Sequence, residues 1–581
     1  MSLQTATATG WNWPRLRPGM PAFIMAILLI FLGVLVVVPV IFILLTSFMV
    51  QPEVFVGERE WGLANWLSAF ADPTIFRALW NTFLVWGLTM AISMPVSVVI
   101  AWTLARTKVP FSRAIEFMFW VAYITPGGVI AWILLIDPQI GIINVMIRSV
   151  FTGLTEGPFN AFSLGGIVWV HLMGNGIALK VMLLTPAFRN MDASLEEASR
   201  VSGSTSIRTM LRVTLPLMAA PITLVFALQL VRIFQSFETE LLLGTPWGFY
   251  VYSTLIYDLV RNMEPPHYGE ASVLASLTLL IIAVVIPFQQ WILGRKKYTT
   301  VTGNFKGGLI DLGAWKWLIF AAFATLHLLL TVIQVASLVL GSFMTRSGYF
   351  QIKPAFTLKH WEFVFNDTLF ITALKTTLTL AATTALVSPV LFAVIAYILV
   401  RTRWPGRGWL DSIIWASAAM PGMLAGLGLL MLFLGTPGLS VLYGTIWAML
   451  LVVLLQGKVT GINILKANLV QIGADMEEAS RASGAGWIRT FFRIWIPLLM
   501  PTLVLIGTMH FVIAATTTAS IILLAARGTI TLSILVLQYA SPIFGQREAA
   551  SVVSIIIAAL AIGLSLIARR LASRLSVMPN V

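Results

Sequence analysis

The chain has 581 residues, 58% of them apolar and only 10% charged, against about 25% charged in a soluble domain. That composition excludes a soluble enzyme and implies a membrane protein whose length is spent mostly on spans. The net charge of +14 does not mark a nucleic-acid binder, because the basic residues sit in short clusters between apolar runs, and the absence of cysteine excludes disulfides, thiolate metal sites and thiol nucleophiles.

Roughly 20 apolar residues in a helix cross the hydrocarbon of a bilayer. On that rule spans are expected at 22–48, 78–104, 115–136, 162–188, 217–242 and 271–293, then at 315–343, 370–400, 410–434, 439–465, 498–525 and 550–570, twelve in all. The first follows Arg15 and Arg17 and is far longer than the roughly 7–15 apolar residues of a secretory signal, so it reads as an uncleaved span. Loop charge alternates. Arg106, Lys108 and Arg113 open a basic series that continues at Arg189–Arg212, Arg295–Lys306, Arg401–Arg407, Lys466–Arg493 and Arg569–Arg574, whereas the loops between are mixed or acidic. The basic loops and both termini are therefore expected on the cytoplasmic side.

One polar stretch occurs twice. From Glu196 to Leu217 and from Glu477 to Leu498, 13 of 22 positions are identical, at a spacing of 281 residues (477 − 196). Flanking pairs, such as Arg106-Thr107 with Arg401-Thr402 and Pro126-Gly127 with Pro421-Gly422, repeat at 295, so the first half carries about 14 extra residues, expected around Asp137–Phe162. The chain thus divides into halves, 1–305 and 306–581, with the repeated loops at about 190–216 and 467–497 and a basic, Gly-containing linker over Arg295–Gly313. Six spans per half is an even number, so the halves share one orientation, unlike inverted repeats. The expected architecture is an all-α integral membrane protein: about twelve transmembrane helices in two parallel six-helix repeats, each with a cytoplasmic helix–turn–helix loop.

Within the loop, Glu197, Ala198 and Ser199 fit a short helix stopped by Gly203, which takes positive φ without steric cost. A second short helix follows, with Arg208 and Arg212 on one face, and Pro216 stands near the start of the next span. Glu478, Ala479, Gly484, Arg489, Arg493 and Pro497 repeat the device. One such loop is explained as a basic segment satisfied by lipid headgroups; two in register point to a docking surface for a duplicated partner.

The pattern Glu-Ala-Ser-x-x-x-Gly, nine residues, then Val/Ile-x-Leu/Ile-Pro resembles the coupling-loop motif of permease subunits in bacterial ABC importers that depend on a binding protein, with Ser199 and Ser480 replacing the second Ala and Ile496 replacing Leu. Two copies on one twelve-span chain look like the fused permeases of ferric-iron importers; thiamine and some organophosphonate importers are built similarly. The resemblance implies two copies of an ATP-binding subunit on the cytoplasmic loops, a periplasmic substrate-binding protein on the other face, and a place in the bacterial cytoplasmic membrane. ATP and magnesium would then sit on the partner ATPase, with no cofactor on this chain. The sequence agrees that this chain is no ATPase: the nearest phosphate-loop fragment, Gly457-Lys458-Val459, lacks the upstream Gly and the hydroxyl.

Ionisable residues inside spans mark candidate paths. Arg232 and His510 lie deep in the fifth spans of their halves, and Glu238 and Glu240 near the outer end of span 5 are candidate hard-oxygen ligands. No permanent metal site is expected, because a conduit must release what it accepts. Pro126-Gly127 and Pro421-Gly422 are candidate helix breaks. An ion-driven secondary transporter fits less well, given the parallel repeat and the few deep acids, and five scattered His supply no catalytic cluster for a membrane enzyme.

Overall fold

The computed structural model describes residues 20–50, 60–125, 128–151, 153–192, 194–295, 309–402, 404, 406–418, 420–473, 475–541 and 544–577. Over these residues it is helical, with three isolated bridge pairs and no strand. Seven helices are long and apolar enough to cross a bilayer alone, and four bent pairs raise the number to eleven. The remaining expected position, 410–434, is held by Arg407–Ala418 and Gly422–Gly435. The expected half boundary at 305/306 and the Pro126-Gly127 break lie outside the described residues.

Duplication is visible in local geometry. Two 34-residue helices, Pro73–Arg106 and Thr368–Arg401, start on Asp72 and Asp367, whose carboxylates each accept a first-turn N–H at 2.8 Å. An acid at that place satisfies an orphan donor and faces the positive end of the helix dipole. The bridge pairs Met49–Trp61 and Met344–Phe356 keep the same spacing of 295 (344 − 49). The later elements, including 14-residue helices Ile177–Asn190 and Lys458–Gln471, keep the spacing of 281 (458 − 177). Between the two registers the first half carries a helix, Ile142–Val150, where the second has only a short turn, Ser440–Leu442.

Several spans expected to be continuous are broken. Leu164–His171 reaches Ile177–Asn190 through a π-helical turn in which Gly174 leaves helical geometry (φ −81°, ψ −119°). Ile446–Leu455 and Lys458–Gln471 meet at 54° around Gly457, at φ +65°. The span expected over 217–242 bends by 65° at Met218 and ends in a tight turn, Val231–Gln235; Glu238–Leu243 is a separate helix. Its counterpart stops at Thr516, short of the expected 525. Carbonyls freed by such breaks need partners away from water. Buried lysines supply two: Lys180 donates to Gly176 O at 2.6 Å and Lys458 to Leu455 O at 2.7 Å. Arg261 donates to the carbonyls of Ile522, Leu523 and Ala525 at 3.0, 3.0 and 2.6 Å.

That last contact joins the halves. So does Arg547, whose guanidinium lies 2.6 Å from the Asp137 carboxylate. Both ties lie at the ends of spans away from the repeated loops. The first span, Met20–Ser47, packs on Gly422–Gly435 of the other half, where a Cβ on Gly428 would come 2.7 Å from that of Pro39. Only glycine permits that approach.

Candidate functional site

Both repeated stretches fold into the same hairpin. Ser194–Val201 and Asp475–Ala482 are the first helices; Gly203 (φ +84°) and Gly484 (φ +78°) end them. Ser204 N–H returns to Ser199 O, and Ala485 N–H to Ser480 O, both at 3.1 Å. This is a Schellman closure, which satisfies the last carbonyls of a helix through a left-handed glycine. Ser206–Thr209 and Trp487–Thr490 follow, each widening into a π-helical turn, Met210–Thr214 or Phe491–Trp495, ahead of Pro216 or Pro497. Proline lacks an N–H and crowds the carbonyl four residues back, and the wider turn accommodates both defects. In the second half the hairpin's second helix is therefore continuous with the span, rather than the separate element the sequence suggested; in the first half the 65° bend at Met218 sets it apart. Six expected span positions separate the hairpins in the chain, an even number that would bring both out on one side.

The hairpins are held from within. Glu196 is buried, 3.4 Å from the Arg106 guanidinium, and accepts a hydrogen bond from the Thr214 hydroxyl. Glu477 is buried in the same register and accepts from the Tyr397 hydroxyl at 2.6 Å. Arg106 donates to Met191 O at 2.6 Å, and the equivalent Arg401 donates to Ile472 O and to Leu469 O. Ser199 and Ser480, which depart from the motif, hydrogen-bond Thr209 and Thr490 at 3.0 and 2.9 Å, pinning one hairpin helix to the other. Sequence reasoning singled out Glu197 and Glu478 and missed these supports. The available signal was that Glu196, Thr209 and Arg106 also recur in register.

The outer face of each hairpin is free. Ala198, Gly203, Arg208, Arg212 and Pro216 are exposed, with Glu197 half-buried; Glu478, Ala479, Gly484, Arg489, Arg493 and Pro497 are all exposed. Among them stand apolar side chains that the sequence reading passed over. Leu195, Ile207 and Leu211 match Met476, Ile488 and Phe492 in register, and Val201 is 90% exposed. An apolar patch rimmed by paired arginines and an acid has the chemistry of a protein interface.

A second feature lies between the halves: a cavity of about 1270 Å³ lined by first-half helices and, from the second half, by Gln334 and by residues between Pro501 and Leu566. Arg232, Glu238 and Glu240 all line it. His510 is not among its lining residues; it is buried against Phe392, ring centroids 5.0 Å apart. Of the two cavity carboxylates, Glu240 is engaged by side chains. Glu240 lies 2.7 Å from His171 Nε2 and also accepts from Ser236, while Glu238 stands near Thr518 and Ala519 of the other half. Among the described residues no three His, Asp or Glu side chains gather as a metal site.

Residues 389–577 match the model of the family described as "Binding-protein-dependent transport system inner membrane component". The chain carries a permease domain of this family. The matched segment contains the second hairpin, and the first repeats its geometry. The permease is 25% identical over 486 residues to the putative ferric transport system permease protein FbpB 1 of Haemophilus influenzae, covering 80% of this chain and 74% of that one. It is 25% identical over 368 residues to the ferric transport system permease protein FbpB of Actinobacillus pleuropneumoniae, spanning 61% of this chain and 52% of that protein. A molybdate/tungstate permease of Pyrococcus abyssi, WtpB, is 27% identical over 40% of this chain and 92% of its own length. Among solved structures, a bacterial ABC transporter that imports alginate overlays 47% of this permease and 96% of its own chain, with 19% identity and a TM-score of 0.40. The permease is a multi-pass inner-membrane protein and a subunit of an ABC importer.

Proposed function

We propose that this permease conducts its cargo, ferric iron in the leading reading, from a periplasmic binding protein to the cytoplasm, driven by two ATP-binding subunits that each receive one hairpin. The observation that carries the reading is the pair of exposed hairpins, identical in turn geometry and set on buried Glu196 and Glu477. ATP binding closes the ATPase pair and draws the hairpins together; hydrolysis lets them part, and the halves rock about the cavity. ATP and magnesium belong to the ATPase, both termini are cytoplasmic, and 1–305 and 306–581 act as the two halves. The ferric assignment follows the printed names of two relatives. The same architecture serves thiamine or an organophosphonate.

Co-purification with a candidate ATPase subunit tests the assembly. Glu197→Lys with Glu478→Lys should weaken the complex and abolish substrate-stimulated ATP hydrolysis, and an unchanged complex would refute the reading. Titrating the partner binding protein with ferric iron tests the cargo; failure to bind removes iron and leaves the assembly intact.

A further inference from the structure

The cavity runs from Pro501, just past the second hairpin, to Glu238 and Thr518. Beyond these, on the side away from the hairpins, two equivalent segments close it: the helix Glu238–Leu243 and a turn over 519–524, at the spacing of 281 (519 − 238). Leu242, Leu243, Ile521, Leu523 and Leu524 are buried there in one core. The two segments complete their backbone hydrogen bonds differently. The first stays within its own half: Leu241 O accepts from the Thr245 hydroxyl at 2.6 Å, Leu243 O from the Trp247 indole at 2.7 Å, and Gly244 O from the Trp247 and Phe249 N–H groups at 3.1 Å. In the second, the N–H groups of Ile521 and Ile522 return to Thr518 O, and those of Leu524 and Ala525 to Ile521 O. The carbonyls of Ile522, Leu523 and Ala525 accept instead from Arg261 of the first half, all from Nη2. A buried carbonyl needs a partner, and here the partner crosses the join. The turn is fixed to its own half, because a Cβ on Gly426 would stand 2.5 Å from Ser520 O and Ser533 donates to Thr517 O at 2.7 Å. Arg261 is fixed to the other, at the end of the helix Tyr252–Arg261, whose first N–H meets the Thr82 hydroxyl at 3.0 Å. If the halves part at this end, the three bonds to Arg261 break together.

We infer that Arg261 is the latch of this closed end: it holds the turn against the first half, and the cavity opens away from the hairpins only when the three carbonyls are given up. The chemistry suits a reversible tie. Hydrogen bonds from a charged donor are stronger than neutral ones, so the contact weights the closed state. Arg261 is exposed, so water takes over the guanidinium once it leaves and no buried charge is stranded. One arginine is enough, because the equivalent helix satisfies its own carbonyls. Arg261 is a positioning residue that acts through the backbone of the turn. The inference rests on the proposed function in one respect, that the halves part at this end during transport.

The test uses the full-length chain in lipid vesicles, with Thr239→Cys on the cavity face of the closing helix as its single thiol. A membrane-impermeant maleimide is supplied either on the hairpin side or on the opposite side. With Arg261 in place, labelling from the opposite side should be slow. Arg261→Gln should raise that rate roughly tenfold, the shift in a closed–open equilibrium on losing about one charge-assisted hydrogen bond, and should leave labelling from the hairpin side unchanged. Arg261→Lys, which keeps the charge, should fall between, and covers the case in which Arg261→Gln does not fold. Arg148→Gln is the control: Arg148 caps the carbonyls of Thr155 and Gln139 at the same end but within one half, so its loss should not open the cavity. The assignment is overturned if Arg261→Gln labels from the opposite side like its parent. It is also overturned if labelling rises equally from both sides, as general loosening would produce, or if Arg148→Gln raises it as much. ATPase recruitment, measured on the same variants, separates the two readings: altered access without recruitment refutes the importer assembly alone, and recruitment without altered access refutes only the latch.

Discussion

Tyr397 donates its hydroxyl to Glu477 at 2.6 Å, from a membrane helix onto a surface hairpin. In the first half the equivalent helix position (397 − 295) is Trp102, which cannot reach in the same way, and the hydroxyl comes instead from Thr214. Thr214 in turn corresponds (495 − 281) to Trp495, which lies under the Arg401 guanidinium, 4.9 Å from its ring centroid. One bulky ring and one hydroxyl are thus conserved in number and exchanged in place. Tyr397→Phe should cost about 1–3 kcal/mol, because a buried carboxylate loses a donor. Trp102→Phe, which removes none of Glu196's bonds, should cost less. Melting of the purified chain compares the two.

Neighbouring glutamates should respond differently. Glu196→Gln removes a buried charge that Arg106 faces at 3.4 Å, so stability should fall by about 2 kcal/mol or more. Glu197→Lys alters a half-buried site, should leave melting within about 0.5 kcal/mol, and should instead weaken capture of the ATPase. The pair of measurements separates the support of the hairpin from its docking face.

Gly203→Ala should cost about 1 kcal/mol through backbone strain alone, since φ is +84° and nothing lies within 4 Å of an added Cβ. Gly203→Asn should cost less, because asparagine tolerates this conformation better. Gly484 should behave alike. Gly428→Ala reverses the cause: its Cβ would meet Pro39, so repacking between the halves should cost about 1–3 kcal/mol. Chemical denaturation of these single variants tests the contrast.

Arg547→Gln should loosen the join between the halves. It strips a partner from the Asp137 carboxylate, whose side chain is 8% exposed, although the arginine is 28% exposed and screening lowers the cost to about 1–2 kcal/mol. The chain has no cysteine, so a single Thr508→Cys placed in the cavity wall reports access without background. Thiol labelling there should accelerate when Arg547 is replaced.

Much of this was legible beforehand. Helix number, the repeat and the glycine turns follow from apolar run length and from residues recurring in register, which local physics reads directly. The breaks were not, because an apolar run looks the same whether it continues, as Ile496–Thr516 does, or bends at Met218. Nor was burial: Glu196 and Glu197 are equivalent as letters, and only the neighbouring helix carrying Arg106 decides which turns inward. Arg232 and His510 likewise seemed paired by depth, yet one lines the cavity and the other packs on Phe392.

Joining both halves in one polypeptide has an outcome that a dimer of identical subunits could not reach. In such a dimer every substitution appears twice, so a tyrosine that supports one handle must support the other, and a charge added to one wall of the channel is mirrored across it. Here Tyr397 and Arg232 each occur once. Under the proposed function, a motor with two matching strokes could therefore act on a lopsided channel, and the walls would be free to change while the handles stay the same.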